Sequence, residues 1–209
     1  RRHTRLQGDW SSDVCSSDLD IHERFRAEQL LRAQNEVLAT VARGRSLDDT
    51  LLEVARLVEQ QVGGSRCAVM LADGPSRLVV SAATSLPDDF RVQIPEVPII
   101  DGAGTCGTAA ARRETVISHE IATDPLWTGW VGLMESFEIR SAWSTPMVSV
   151  DGSEALGTIA VYGRGPTTPD PALVTMVASL ARLAEIAIDR KRFEDLLAHE
   201  SLHDPLTRL

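Results

Sequence analysis

The sequence predicts an α+β domain: an antiparallel β-sheet flanked by helices, with a long signalling helix at each end. Three observations predict it. Residues 67–71 and 78–82 are short apolar runs about the turn Asp73-Gly74-Pro75, and residues 142–148 and 156–162 repeat the pattern about Asp151-Gly152. Each pair reads as a hairpin. Between the hairpins lies an irregular, proline-marked stretch, and helix-period segments lie outside both. The helices are expected to lie on one face of the sheet.

Taken in order, residues 1–19 read RRHTRLQGDWSSDVCSSDL, without helix or strand periodicity. Translated backwards, residues 8–19 resemble a sequencing-library adaptor oligonucleotide read through its end, and residues 1–5 its upstream part. The segment is therefore expected to be an artefact and is set aside from fold reasoning. Residues 20–45 are expected to form an N-terminal signalling helix, in which Leu31, Asn35, Leu38 and Ala42 alternate by four and three like a coiled-coil edge. Ser46 caps a second helix, with Asp48 and Asp49 in its positive first turn. Leu51, Leu52, Ala55, Val58 and Val62 are its expected buried stripe, and Gly63-Gly64 ends it.

After the first hairpin, Pro87, Pro95 and Pro98 exclude a continuous central strand. Gly102-Ala103-Gly104 leads into a short helix over 105–113, and 115–118 read as a strand. Asp124-Pro125 opens a helical segment through Trp130, Leu133, Met134 and Phe137, with proline at the first helical position. Beyond the second hairpin, Asp170-Pro171 opens a long helix to about Ser201. The domain core is thus expected over 46–170, a connecting helix over 171–201, and the start of another domain over 202–209.

Charge and composition exclude several classes. The net charge is −9, and only Lys191 among the 21 basic residues is a lysine. With a pI near 5.0 and no basic face, phosphate neutralisation has no footprint and no nucleic-acid partner is expected. The N-terminus lacks the apolar core of a signal peptide, and no apolar run is read as reaching the roughly 18–20 residues of a bilayer span. Setting 1–19 aside leaves Cys67 and Cys106, too few and too far apart for a disulfide framework or a spaced-pair zinc site. A reducing, cytoplasmic setting is expected.

Several motifs, in this order and spacing, resemble the GAF family over roughly residues 36–190, in the subgroup found in bacterial sensor kinases and cyclic-di-GMP enzymes. They are Gly104-Thr105-Cys106-Gly107-Thr108-Ala109-Ala110, Val116-Ile117, Ile121-Ala122-Thr123-Asp124-Pro125-Leu126-Trp127, Ile139-Arg140-Ser141-Ala142-Trp143-Ser144-Thr145-Pro146, and Leu156-Gly157-Thr158-Ile159-Ala160-Val161-Tyr162. The ending, Ser201-Leu202-His203-Asp204-Pro205-Leu206-Thr207-Arg208-Leu209, resembles the opening of a GGDEF diguanylate cyclase domain. The resemblance implies a sensory domain, itself no catalyst, that regulates a cyclase lying beyond Leu209.

The family resemblance also implies a pocket between the sheet and the irregular middle. Its lining is expected from Thr105, Cys106, Thr108, Trp127, Trp130, Ser141, Trp143 and Ser144. Hydroxyls beside aromatics suit a modest ligand with a polar edge and a flat or apolar body. The tryptophans are equally open to a reading as plain core. Cys106, at a helix start, is either an activated thiol or a small buried hydrophobe, whereas Cys67 belongs to a strand core. His119 stands near the expected rim, but a lone histidine more often caps or decorates a surface than binds haem or metal. His199 and His203 share a helix seam. No bilin-attachment Cys-His, cyclic-nucleotide signature, Ser-His-Asp order or P-loop is present, and the GAF-type methionine sulfoxide reductases need more cysteines. No catalytic residue, metal or cofactor is assigned.

Leu183, Ile186, Phe193 and Leu197 recur at three, seven and four, with Arg190 interrupting, as in a parallel two-stranded coiled coil. The expected partners are an unidentified small molecule and a second copy of the chain. A dimerisation module without ligand, or the sensor of a histidine kinase, are the alternatives.

Overall fold

The computed structural model describes residues 44–202 together with positions 28, 31, 32, 34–36 and 39. Residues 1–19, Leu38 and Ala42 of the N-terminal seam, the side chain of His199, and 203–209 lie outside the described residues. Leu31 and Asn35 are helical and exposed.

Six antiparallel strands form one sheet in the order β3-β2-β1-β6-β5-β4. They are β1 Arg66–Ala72, β2 Arg77–Ala83, β3 Val97–Pro98, β4 Val116–Ser118, β5 Ser141–Val148 and β6 Ala155–Gly163. Both predicted hairpins are present, β1 with β2 and β5 with β6, and β1 pairs with β6 to join them at the centre. Gly157 is required at that central pairing, because a Cβ there would collide with the Met70 carbonyl oxygen.

The helices divide between the two faces, against the expectation that they share one. Helix α1 (Leu47–Gln61) and helix α5 (Pro171–Leu202) cover the first face. Ser46 Oγ accepts the Asp49 amide at 3.1 Å, so α1 begins at the predicted cap. Its buried stripe is Leu51, Val54, Ala55, Leu57 and Val58. Leu52, expected in that stripe, is 46% exposed, since it follows Leu51 by one residue and is turned about a quarter of the way round the helix. The carboxylate of Glu59 accepts from the Cys67 amide at 2.7 Å and the Ser85 hydroxyl at 2.7 Å, tying the end of α1 to the sheet.

The second face carries α2 (Phe90–Gln93), α3 (Gly104–Arg112), single 3-10 turns at Ile121–Thr123 and Pro125–Trp127, and α4 (Val131–Ser136). The helical segment expected after Pro125 is therefore broken. Gly129, at φ +87°, sits in the left-handed region and separates the 3-10 turn from α4. Period-two alternation assigns each strand residue to one of these two cores. Cys67, Val69, Trp143, Met147, Ile159 and Val161 face α1 and α5, while Ala68, Met70, Ala142, Ala160 and Tyr162 face the irregular segment.

Helix α5 starts where predicted, with Asp170 accepting the Ala172 amide at 2.9 Å ahead of Pro171. At 32 residues it is about 48 Å long. Over 171–198 it holds a stretch of mean hydropathy 1.6, long and apolar enough to cross a membrane by length and composition, against the expectation of no such run. Its first half is a core helix of this domain: Val177, Leu180, Ala181, Ala184 and Ile188 are buried against α1 and the sheet. Val177, Leu180 and Ile188 each contribute about 1.5–3 kcal/mol on burial, and the two alanines less. Beyond Ile188 no described side chain of α5 is buried, and Phe193, Leu196 and Leu197 stand 62%, 63% and 50% exposed.

Candidate functional site

On the second face, a cavity of about 30 Å³ lies between the centre of the sheet and the irregular segment. Met70 and Tyr162 form its floor, Gly104 and Cys106 of α3 one wall, and Phe90, Trp127, Trp130 and Met134 its cover. Phe90 meets the Phe137 ring edge-on at 5.2 Å between centroids and lies 5.8 Å from that of Tyr162, packing that fixes the four-residue helix α2 over the floor.

Trp127 closes the site from a 3-10 turn. Asp124 holds that turn by accepting the Leu126 amide at 3.0 Å. The indole lies on the backbone of Gly104, where an added Cβ would come within 3.2 Å of the ring. Gly104 is also at φ +60°, so glycine is required here twice over. Trp127 is 5% exposed, and its Nε1 is buried without a hydrogen-bond partner. Such an orphaned donor costs about 1–3 kcal/mol if nothing meets it.

One wall is polar. Ser144 Oγ donates to Thr105 Oγ1 at 2.9 Å, Cys106 Sγ lies 3.3 Å from Ser144 Oγ, and Tyr162 Oη stands 3.6 Å from the same sulfur. The row runs hydroxyl, hydroxyl, thiol and phenol. Burial, reinforced by the neighbouring Cys106, pushes the Tyr162 phenol well above its ordinary range and keeps it neutral. Among the described residues no carboxylate, imidazole or cationic group lines the cavity, and none of them stands as a base beside the thiol.

The structure divides the eight expected site residues. Cys106, Trp127 and Trp130 line the cavity, and Thr105 and Ser144 stand behind it through the polar row. Thr108 is turned away, its Oγ1 accepting the Gly102 amide at 3.0 Å and bracing the start of α3. Trp143 is corrected: it is buried in the core beneath α1 and α5, because adjacent residues on a strand face opposite sides and Ser144 faces the cavity. Ser141 shares Trp143's parity, and its Oγ is committed to the Gly165 carbonyl at 2.7 Å. His119 is exposed, its Nδ1 3.0 Å from Thr168 Oγ1, and does not line the cavity. Among the described residues no three His, Cys, Asp or Glu side chains come together as metal ligands would.

Phe90, Ile94 and Tyr162 were not expected in the lining. Alternation along β6 could have found Tyr162, two residues on from Ala160. Helix α2 is too short to show a period, so nothing in the sequence points to Phe90.

A six-stranded antiparallel sheet, a helix pair on one face and a half-irregular cover over a small cavity on the other define the α+β class of this domain. A family model for GAF domains matches residues 44–189, and the chain belongs to the GAF domain family. It is 33% identical over 180 residues to the methyl sulfide methyltransferase-associated sensor of Methanosarcina acetivorans, a match covering 86% of this chain and 18% of that protein. Among solved structures it is similar to the GAF domain of an Acinetobacter phosphoenolpyruvate-protein phosphotransferase, at TM-score 0.66 and 18% identity over 82% of this chain and 97% of that one. It is also similar to the free methionine-R-sulfoxide reductase of Neisseria meningitidis, at TM-score 0.63 and 19% identity, covering 81% and 91% of the two chains.

Proposed function

We propose that this GAF domain binds a small, uncharged, largely apolar molecule in the cavity under Trp127 and passes its occupancy to α5. The polar edge of the ligand meets the Cys106–Tyr162 wall or the Trp127 indole N–H. The observation that carries the reading is a buried, uncharged cavity with an unpartnered indole donor in its cover. A charged ligand would lose its hydration there without gaining a counter-ion.

Strand β5 connects the two faces. Ser144 belongs to the polar wall, Trp143 and Met147 pack in the α5 core, and the Val148 amide donates to Glu185 of α5 at 2.8 Å. A ligand drives α5 only by its differential affinity for two arrangements of this strand and helix. The exposed Ile186, Phe193 and Leu197 fit a parallel dimer seam with Arg190 within it, and the 201–209 motif favours a diguanylate cyclase as the output that the two helices bring together. The name of the Methanosarcina relative, a sensor, agrees with a regulatory role.

Two measurements test this assembly. The chain is expected to sediment as a dimer at tens of micromolar, and Phe193→Glu is expected to dissociate it; a strictly monomeric chain removes the dimer switch. The reading frame past Leu209 is expected to reach an Asn-Arg pair and then a Gly-Gly-Asp/Glu-Glu-Phe signature, and a frame without them removes the cyclase output.

A second reading rests on the cavity's size. About 30 Å³ is room for roughly one or two waters, far below the roughly 300–1,000 Å³ of preformed ligand sites. On that reading the domain only dimerises and spaces its output. On the first, Trp127 and Trp130 must swing out to admit the ligand. Probe binding at Trp127 separates the two.

A further inference from the structure

A second cavity, of about 570 Å³, opens on another part of the surface and shares no lining residue with the first. It lies where the β1–β2 turn at Pro75, the C-terminal end of α3, the β5–β6 turn and α5 converge. Its volume falls within the range of small-molecule sites. Ala110, Pro75 and other small apolar groups make its walls, and its charged groups are Arg113, Arg192 and Glu154, a formal balance of 2 − 1 = +1.

The two guanidinium groups are built in differently. Arg113 follows α3 at φ 58°, a left-handed position usually filled by glycine because a side chain there is strained. From it, Arg113 Nη1 reaches across to donate to the Ser153 carbonyl at 3.1 Å, which fixes the guanidinium on the groove wall. Arg192 comes from the opposite side, where α5 has already left the core, and its Nη1 stands 3.7 Å from a Glu154 carboxylate oxygen. That separation is longer than a hydrogen bond, and an exposed pair of this kind contributes little. A guanidinium presents a planar fork of donors that suits the paired oxygens of a carboxylate or phosphate.

We propose that this groove binds a small organic anion, a carboxylate or phosphate carried on a compact apolar body, between Arg113 and Arg192. The anion displaces Glu154 from Arg192, and its apolar body lies on the alanine and proline wall. Ile188 is the last described α5 residue buried against the domain, so the bridge ties the departing half of α5 to α3. The groove is then a second input to the same helix. It goes beyond the reading of the Trp127 cavity and does not rest on it.

The test is a calorimetric titration of the full chain with phenyl phosphate, with phenol as the uncharged counterpart. Phenyl phosphate is expected to bind saturably at millimolar or lower concentration, more weakly as salt is raised, with phenol silent in the groove. Arg113→Gln and Arg192→Gln are each expected to weaken binding about tenfold, the loss of a charge-assisted contact. Glu154→Gln is expected to strengthen it by removing the competing carboxylate, a gain that a misfolded variant would not give. Absence of saturable binding, phenol binding that the Arg113 and Arg192 substitutions weaken as much as they weaken that of phenyl phosphate, or affinities unchanged by all three substitutions overturns the proposal. Substitutions at Trp127 are expected to leave phenyl phosphate binding unaltered, so the two sites fail or stand separately.

Discussion

Gly104 and Glu185 set the terms on which the two faces of this domain work. At Gly104 the left-handed backbone and the Trp127 ring 3.2 Å from a would-be Cβ act together. Gly104→Ala is expected to lower stability by about 1–2 kcal/mol, with Trp127 displaced and its fluorescence shifted towards that of an exposed indole. Unchanged urea unfolding and emission would mean that the contact is slack. Glu185 is governed by protons. Desolvation on burial raises its carboxyl above the ordinary 4.5, outweighing the lowering by the Val148 amide and Arg182. The folded state thus binds this proton more tightly than the unfolded chain does, and the Glu185 contribution to stability falls as pH rises from 4.5 through the raised value. Glutamine keeps an oxygen for the Val148 N–H without the charge. Glu185→Gln is expected to melt higher than the parent at neutral pH and equally below the carboxylate range. A difference that persists in acid would assign the effect to packing.

The elements show what was legible in the sequence and why. Both hairpins, the Ser46 cap and the Asp170-Pro171 start of α5 were readable because each depends on local chemistry: a turn, a side-chain acceptor, a fixed proline φ. Trp143 was misplaced because motif neighbours in sequence were read as neighbours in space. On β5 only every second residue reaches the cavity, and Ser144 already held that side. Leu52 failed for the helical version of the same reason. Phe90 and the break at Gly129 were not legible, since their positions are set by packing over Met70 and Tyr162 and by no period of their own. Among the elements, α5 carries the clearest division. Val177, Leu180 and Ile188 hold it to the sheet, and Phe193, Leu196 and Leu197 face outward. Phe193→Glu is therefore expected to leave the melting of the domain core within about 0.5 kcal/mol of the parent while dissociating the dimer. Loss of folding on this substitution would instead show that the outer half of α5 is part of the core.

The domain is a sheet with a small cavity free of charged side chains on one face and its exit helix on the other, joined through β5. A second, basic groove sits where that helix departs. The central claim is that the cavity under Trp127 admits a neutral ligand, and it is tested most directly on the indole N–H resonances of the full chain. Trp143, buried on the opposite face, serves as an internal control. On titration with p-cresol, and with p-toluate and benzylamine as its charged counterparts, the account predicts a saturable shift of the Trp127 resonance with p-cresol, a smaller one at Trp130, and neither with the charged probes. If p-cresol leaves Trp127 unmoved, or moves Trp143 as much, the cavity is plain core and the domain is a spacer for its output.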